Sequence, residues 1–428
     1  MTEMILREEW DLESSEMVLR REMHRVGGMI LEKLLNSNKG YRGVRTPCAK
    51  GHQAEFVEYR SKEMITVLSP VTIERAYYYC RQCGTGVIPR DEELDVQDTG
   101  FSPGVRRMMG HVGGNEAFDA GRRDLEILAG VAVSAKAVER VSEEIGRQLE
   151  SANRGERECF LSGKVVSLES VGKLYICLDG TGVPVVPREI EGRQGKEKGS
   201  RAKTREGKLG CVFTQTRLDE KGHPVRDEHS TTYVGAIETA EQFGWRLYGE
   251  ALRRGLNRAS KVIILGDGAS WIWNLAGQHF PGAVSIVDLY HARQHVALLG
   301  NLLYGFATNK AKQWIGERCR QLDAGNIEKL ITSLHRLRPQ RVDFIEEVEK
   351  TIAYFRSNIS RMRCRQFKKQ GCFVGSGVVE AGCKTIMGQR LKQSGMHWTV
   401  RGANSIIALR CCQQSGRWEE FWEMRPAS

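Results

Sequence analysis

Three regimes of hydrophobic spacing divide the chain. Between residues 54 and 79 the segments AEFVEYR, EMITVL and VTIERAYYY carry β-branched and aromatic residues with partial alternation, which predicts the strands of a small antiparallel sheet. From Ser102-Pro103 the pattern turns helical. Ser102 suits a cap and Pro103 the first helical position, Gly113-Gly114 interrupts before a second helix that runs to about Leu128, and Gly130 makes a turn. Ser134 can then cap a helix in which Val138, Val141, Ile145 and Leu149 recur at spacings of three and four. From residue 173 the order is strand, strand, strand, helix, strand, helix, strand. The strands are KLYICL, KLGCVFTQT, HSTTYVGA, KVIILG and AVSIVD, and the first helix can line Phe243, Leu247, Leu252 and Leu256 along one face. A helical stretch from about His291 to Gln370 follows.

Acidic residues punctuate the third regime. Asp179 closes the run LYICLDG, Asp267 closes VIILGDG, and Glu380 opens a helix after Gly-Ser-Gly in GSGVVEAGCK. An α/β sheet presents ligands beyond the carboxyl ends of its strands. Carboxylates so placed can hold two hard cations, Mg2+ or Mn2+, which prefer oxygen ligands and substrate phosphate. This order, with acids ending the first and fourth strands, matches a ribonuclease-H-like core. Glu380 completes it only if the helical stretch loops out and returns, at a cost that grows only logarithmically with length. An Asp-Gly after an apolar strand is also a turn signal, so either aspartate alone has a structural explanation. The fifth strand ends in Asp288-Leu-Tyr-His291, with His295 a turn later. His291 suits orienting a scissile phosphate or supporting a ligand, with Asp288 ordering it, and helix capping by Asp288 serves equally well.

Cysteine spacing adds a second chemistry. Cys48-Ala-Lys-Gly-His52 and Cys80-Arg-Gln-Cys83 supply two ligand pairs suited to one tetrahedral zinc ion, held together by the small sheet as in a zinc ribbon. The Cys-x2-Cys pair is the strong half, and His52 as an ordinary loop residue is the competing reading of the other. The remaining cysteines, such as Cys177, Cys211 and Cys319, lie singly in apolar or helical contexts and read as reduced thiols.

Charge then points to an anionic partner, because 64 basic residues against 53 acidic ones leave a formal +11. Two helices joined by the Gly130 turn suggest helix-turn-helix, with Lys136 and Arg140 approaching DNA and Arg122 and Arg123 touching phosphates; an ordinary helical hairpin has the same pattern. EGRQGKEKGSRAKTREGK reads as a mobile basic loop beside Asp179 carrying Arg193, Lys196, Lys198, Arg201, Lys203, Arg205 and Lys208, or else as a solvated connector. Lys384, Arg390 and Lys392 follow Glu380 and can contact phosphate or line a solvated face. No stretch has signal-peptide character or approaches an uncharged 18-residue run, so the expectation is a soluble cytosolic protein with no membrane partner.

Taken together, LDGTGVPVV, TREGKLGCVFTQT, GDGASWIW, DLYHARQH, GSGVVEAGCKTIMGQRLKQSGMHW and SGRWEEFW resemble the ISKra-type family of bacterial insertion-sequence transposases, over roughly Cys48 to Trp422. The resemblance implies a DDE transposase with a ribonuclease-H-like α/β core, divalent-metal cofactor, double-stranded transposon-end and target DNA as substrates, and a nucleoid-associated place in a bacterial cytoplasm. By motif, Asp179 and Asp267 are its two aspartates and Glu380 its glutamate. The Cys-x3-His knuckle departs from the paired cysteines such a ribbon carries. Paired-end chemistry needs a homo-oligomer in the DNA complex. The segments expected are an N-terminal helical segment (1–40), a zinc-ribbon-like module (41–100), a helix-turn-helix-like region (101–155), the first part of the core (170–298), an all-helical insertion (299–370) and the core completion with C-terminal helices (371–428). A ribonuclease-H-like nuclease or resolvase without joining activity, and a non-catalytic zinc DNA-binding regulator, are the alternatives.

Overall fold

The computed structural model describes residues 11–167, 171–195 and 200–424. Lys196 and Lys198 of the basic loop, and the first ten and last four residues of the expected terminal segments, lie outside the described residues. The protein is a mixed α/β chain in two compact units, one within Met1–Ile145 and Glu419–Ser428, the other within Gly146–Trp418. No helix among the described residues is long and apolar enough to cross a membrane.

The first unit opens with helix α1 (Leu12–Asn36), capped by Asp11, whose carboxylate accepts from Ser14 N at 2.9 Å. A four-stranded antiparallel sheet follows in the order β1 (Arg45–Pro47), β2 (Gln53–Ile65), β3 (Pro70–Cys80), β4 (Thr85–Val87). Its apolar positions bury one cluster around Tyr78, Ala76 and Cys80 and another around Met64, Val71, Ile73 and Val96. Arg75 Nη1 donates to both oxygens of buried Asp91 at 2.7 and 2.9 Å, which pairs the two charges out of water.

Helices α2 (Pro103–Asn115), α3 (Phe118–Ala129) and α4 (Ala135–Leu161) come next. Ser102 caps α2 and Ser134 accepts from Ala137 N, as their positions predict. The α3–α4 turn is made by Gly130 at φ 68°. Gly113-Gly114, however, does not interrupt a helix. Both lie inside α2, and a Cβ on Gly113 would stand 2.0 Å from Ser142 Oγ of α4. Close helix contact, rather than a chain break, accounts for glycine there.

The second unit is built on a five-stranded sheet. Its strands are β5 (Val171–Pro184), β6 (Thr204–Gln215), β7 (Thr232–Ala236), β8 (Ala259–Gly266) and β9 (Val284–Val287), in the order β9-β8-β5-β6-β7. β5, β6 and β7 form an antiparallel meander, while β8 and β9 run parallel to β5. Alternate residues Leu174, Ile176, Leu178, Val212 and Ile264 meet Phe243 and Leu247 of α5 (Ala240–Arg253) and Ile272 and Leu275 of α6 (Ser270–His279) in the main core. On the other face Tyr175 stacks on Phe213 with centroids 4.8 Å apart, and Phe373 meets both edge-on.

After β9 the chain leaves through helices α7 (Leu289–Tyr304), α8 (Asn309–Asp323), α9 (Ile327–His335) and α10 (Val342–Ser357). It returns at residues 370–376. Lys173 Nζ bonds the carbonyls of Gln370 and Gly371, Tyr175 Oη accepts from Phe373 N, and Leu289 N bonds Val374 O. These bonds pin the returning strand of chain to the sheet before the short helix α11 (Gly377–Gly382). One strand boundary differs from expectation. β5 does not end at Asp179 but continues to Pro184, paired with β6 as far as Thr204, because the ladder to β6 persists after the apolar run has stopped.

Candidate functional site

The first unit carries a compact Cys/His grouping. Cys48 and His52 sit on a knuckle closed by Cys48 N to His52 O (2.8 Å) and Gly51 N to Cys48 O (2.8 Å), with Gly51 at φ 79°. Cys80 ends β3, and Gly84 N bonds Cys80 O at 2.9 Å so that Cys83 turns back. One ligand atom from each of Cys48, His52, Cys80 and Cys83 lies within 4.8 Å of the others. Cys48 and Cys83 sulfurs are 3.6 Å apart, and His52 Nδ1 is 3.1 Å from Cys83 Sγ. A tetrahedral zinc with ordinary bond lengths sets S–S near ~3.8 Å and S–N near ~3.6 Å. The four residues therefore could hold a metal such as zinc with only small shifts. Burial and the neighbouring Cys48 and Cys80 sulfurs push the Cys83 thiol up to about 11.

The second unit brings acids together at one end of its sheet. β8 pairs with β5 up to Leu265 beside Cys177, so Asp179 within β5 and Asp267 just past the end of β8, each two residues on, stand at the same level of neighbouring parallel strands. Burial raises the Asp179 carboxyl above its ordinary value and the charge of Asp267 adds to this, while the Cys383 thiol, Gly180 N–H and His291 oppose it. Gly180 N lies 2.7 Å from Asp179 Oδ1. Asp267 Oδ1 accepts from Ala269 N at 2.8 Å, and its carbonyl accepts from Tyr354 Oη at 2.8 Å. Gly268 stands at φ 104°, and a Cβ there would lie 2.6 Å from the Tyr354 ring, so both conformation and space require glycine. Tyr354 stacks on His295 at 4.0 Å. Burial, with Asp267 and Asp288 nearby, raises the Tyr354 phenol and keeps it a donor.

Glu380 reaches the same end through two connections. Cys383, less than a helical turn after it, lies beside the Asp179 carboxyl and works against its rise. Ser376, a turn before it, donates N–H and Oγ–H to Asp288 Oδ2, and Ser376 Oγ lies 3.4 Å from Glu380 Oε1. The segment Cys383–Gly388 is a π-helix, a local widening common at functional sites. Asp288 is fully buried, and its other oxygen caps α7 by accepting from Tyr290 N (2.6 Å) and His291 N (2.9 Å). It thus orders the backbone of His291, not its imidazole. Asp288→Ala leaves four donors without an acceptor, the two of Ser376 buried and the two at the start of α7 partly buried, and we expect it to destabilise the second unit by about 3 kcal/mol or more in urea unfolding. A loss below about 1 kcal/mol would contradict this account of how the returning segment is held.

Basic candidates divide by burial. Arg201, Lys203, Lys384 and Lys392 are exposed, and Lys392 Nζ bonds Thr181 Oγ1, two residues past Asp179. Arg205 is half-buried with its guanidinium 3.2 Å from Glu189 O. Two candidates are corrected. Lys208 is buried within β6, bonded to Glu206 (2.8 Å) and the Glu238 carbonyl (3.1 Å) and lying over the Trp271 indole, so it is a strand residue and not part of a mobile loop. Arg390 is fully buried, its guanidinium 5.1 Å from the Trp398 ring centroid, and serves packing in place of phosphate contact. In the first unit Lys136 is exposed and paired with Glu139 at 2.8 Å, and Arg140 is exposed.

Sequence reasoning missed Tyr354, Ser376 and Cys383 as parts of this end. Ser376 and Cys383 lie inside the singled-out GSGVVEAGCK motif, which was a usable signal. Tyr354 lies deep in the helical excursion and had none.

A family model described as "Uncharacterised protein family (UPF0236)" matches residues 8–425. No curated protein matches significantly. Among solved structures, the chain is similar to the Drosophila P element transposase strand transfer complex at 10% identity, covering 78% of this chain and 84% of that one with a TM-score of 0.24, too loose a likeness to assign a fold.

Proposed function

The chain belongs to the uncharacterised protein family UPF0236, and we propose that it is a DDE transposase of the ISKra type, with a ribonuclease-H-like core. On this reading it cleaves transposon-end DNA and transfers the freed 3′ hydroxyl into target DNA. The observation that carries the proposal is the placement of Asp179 in β5 and Asp267 just past the end of β8 at the same level, with the Glu380 segment bonded to that same end through Ser376 and Asp288 and with Cys383 beside Asp179. The strand order β9-β8-β5-β6-β7, an antiparallel meander with two parallel strands added beside β5, supports the ribonuclease-H-like assignment.

Asp179, Asp267 and Glu380 would hold two magnesium or manganese ions, an all-oxygen set whose charge would offset the strained ionisation of Asp179. Such ions supply activation of the attacking oxygen and stabilisation of the leaving one. The protein residues do the positioning. Tyr354 and Ala269 fix the turn that carries Asp267, and Asp288 fixes where Glu380 arrives. Lys384 and Lys392 offer exposed cationic groups to DNA phosphates beside this end, as do Arg201 and Lys203. In the first unit the Cys/His module and the α3–α4 pair, with Lys136 and Arg140, would bind transposon-end DNA.

A strand-transfer assay separates this reading from its rivals. Supplied with magnesium and a pre-cut end from its flanking genomic DNA, the protein should join that end to target DNA, read by sequencing the products. Cleavage of uncut ends without joining would make it a nuclease or resolvase instead. Binding without either reaction would make it a zinc-dependent regulator.

A further inference from the structure

Helix α1 has two unlike faces. On one, Gly28 is buried, Leu35 packs against the Met64, Val71, Ile73 and Val96 cluster, and Glu32 accepts from Thr72 N. On the other, Leu12, Leu19, Met23, Val26, Ile30 and Leu34 are 45–64% exposed. At 100° per residue these six fall within an arc of about 80°, a straight apolar stripe along the whole helix. Positions 12, 16, 19, 23, 26, 30 and 33 alternate spacings of four and three, the seam of a two-stranded coiled coil. Five of these seam positions are apolar. The other two carry opposite charges, Glu16 and Lys33.

We propose that α1 pairs antiparallel with α1 of a second copy of this chain, in the register that sets Glu16 against Lys33. The same register places Met23 against Val26 and Leu19 against Ile30, so every apolar seam layer between the two charged ones is filled by apolar side chains from both helices. The two-fold operation repeats each layer, giving a Glu16–Lys33 pair at both ends. A parallel pair would instead set Glu16 on Glu16 and Lys33 on Lys33. Like charges facing each other in a seam are repelled, so the charge pattern selects the antiparallel arrangement. The flanking charges Arg20 and Glu22 then face Met29 and Gly27 respectively and meet no like charge. This pairing does not depend on the chemistry assigned to the acidic residues.

Sedimentation of the full-length protein without DNA tests it. The wild type should form a dimer at tens of micromolar. Ile30→Asp should abolish the dimer, and Glu16→Lys or Lys33→Glu alone should each weaken it by at least about tenfold. The double variant Glu16→Lys with Lys33→Glu should restore wild-type association. Circular dichroism checks that each variant keeps its helix content, which substitutions on an exposed face should not alter. A monomeric wild type overturns the proposal, as does a dimer indifferent to Ile30→Asp. A double variant no tighter than the singles overturns the register.

Discussion

Alanine at Asp179, Asp267 or Glu380 should lower strand cleavage and joining by at least roughly 10³-fold while leaving binding of transposon-end DNA within a few-fold of wild type. The expectation follows from where the three lie. Asp179 within β5 and Asp267 just past the end of β8 stand level, and the Glu380 segment is bonded to the same end through Ser376 and Asp288. None of the three lies in the amino-terminal unit to which DNA-end recognition is assigned. Measuring both activities on each variant distinguishes loss of chemistry from loss of fold, since a misfolded chain loses both. Magnesium-dependent cleavage retained by all three variants would remove the site. A second readout is independent of DNA: magnesium should raise the melting temperature of the wild type and not of the double aspartate variant, because ligand binding stabilises only a chain that has the site.

Removing the metal from the Cys/His module is the second large effect expected. Extraction with a strong zinc chelator, or Cys80→Ala, should unfold the four-stranded sheet and abolish end recognition while the second unit keeps its own unfolding transition. The apolar cluster beside the four ligands is small, built from Ala54, Ala76 and Tyr78 with Phe56 and Val87 packed against it. A core of that size gains much of its stability from a metal that ties its strands. Purified protein should contain stoichiometric zinc by elemental analysis. Retention of the sheet and of end binding after complete extraction would show that the four residues are not a structural zinc site. His52→Ala asks a narrower question. If His52 is a ligand, that variant should lose zinc far more readily than one altered at the neighbouring Lys50.

What could be read from the residues alone depended on how local the cause was. The two ligand pairs are local features, a knuckle and a Cys-x2-Cys turn, and the alternating segments between them pair as a sheet that brings the four ligand atoms together. The order of strands and helices from residue 173 was also visible, because each element carries its own period. Failures arose where a neighbour decided the outcome. β5 runs past Asp179 because β6 continues beside it, which no property of LDGTG announces. Lys208 and Arg390 looked like phosphate contacts by charge, yet a strand partner, two acceptors and an indole enclose the first, and Trp398 lies over the second. Gly113-Gly114 resembled a break because close contact with Ser142 cannot be seen in a pattern of spacing. Tyr354 is the extreme case, since the carbonyl it holds belongs to a turn far earlier in the chain.

The bond between Ser376 and buried Asp288 has an implication for the growing polypeptide. Its two partners are separated by the whole helical excursion, and Glu380 emerges from the ribosome only after that excursion has been made. A nascent or prematurely terminated chain would own both aspartates without the third acid or the serine that seats it. On the transposase reading, a cutting enzyme of this design stays harmless to the genome that encodes it until the third acid has been made and seated.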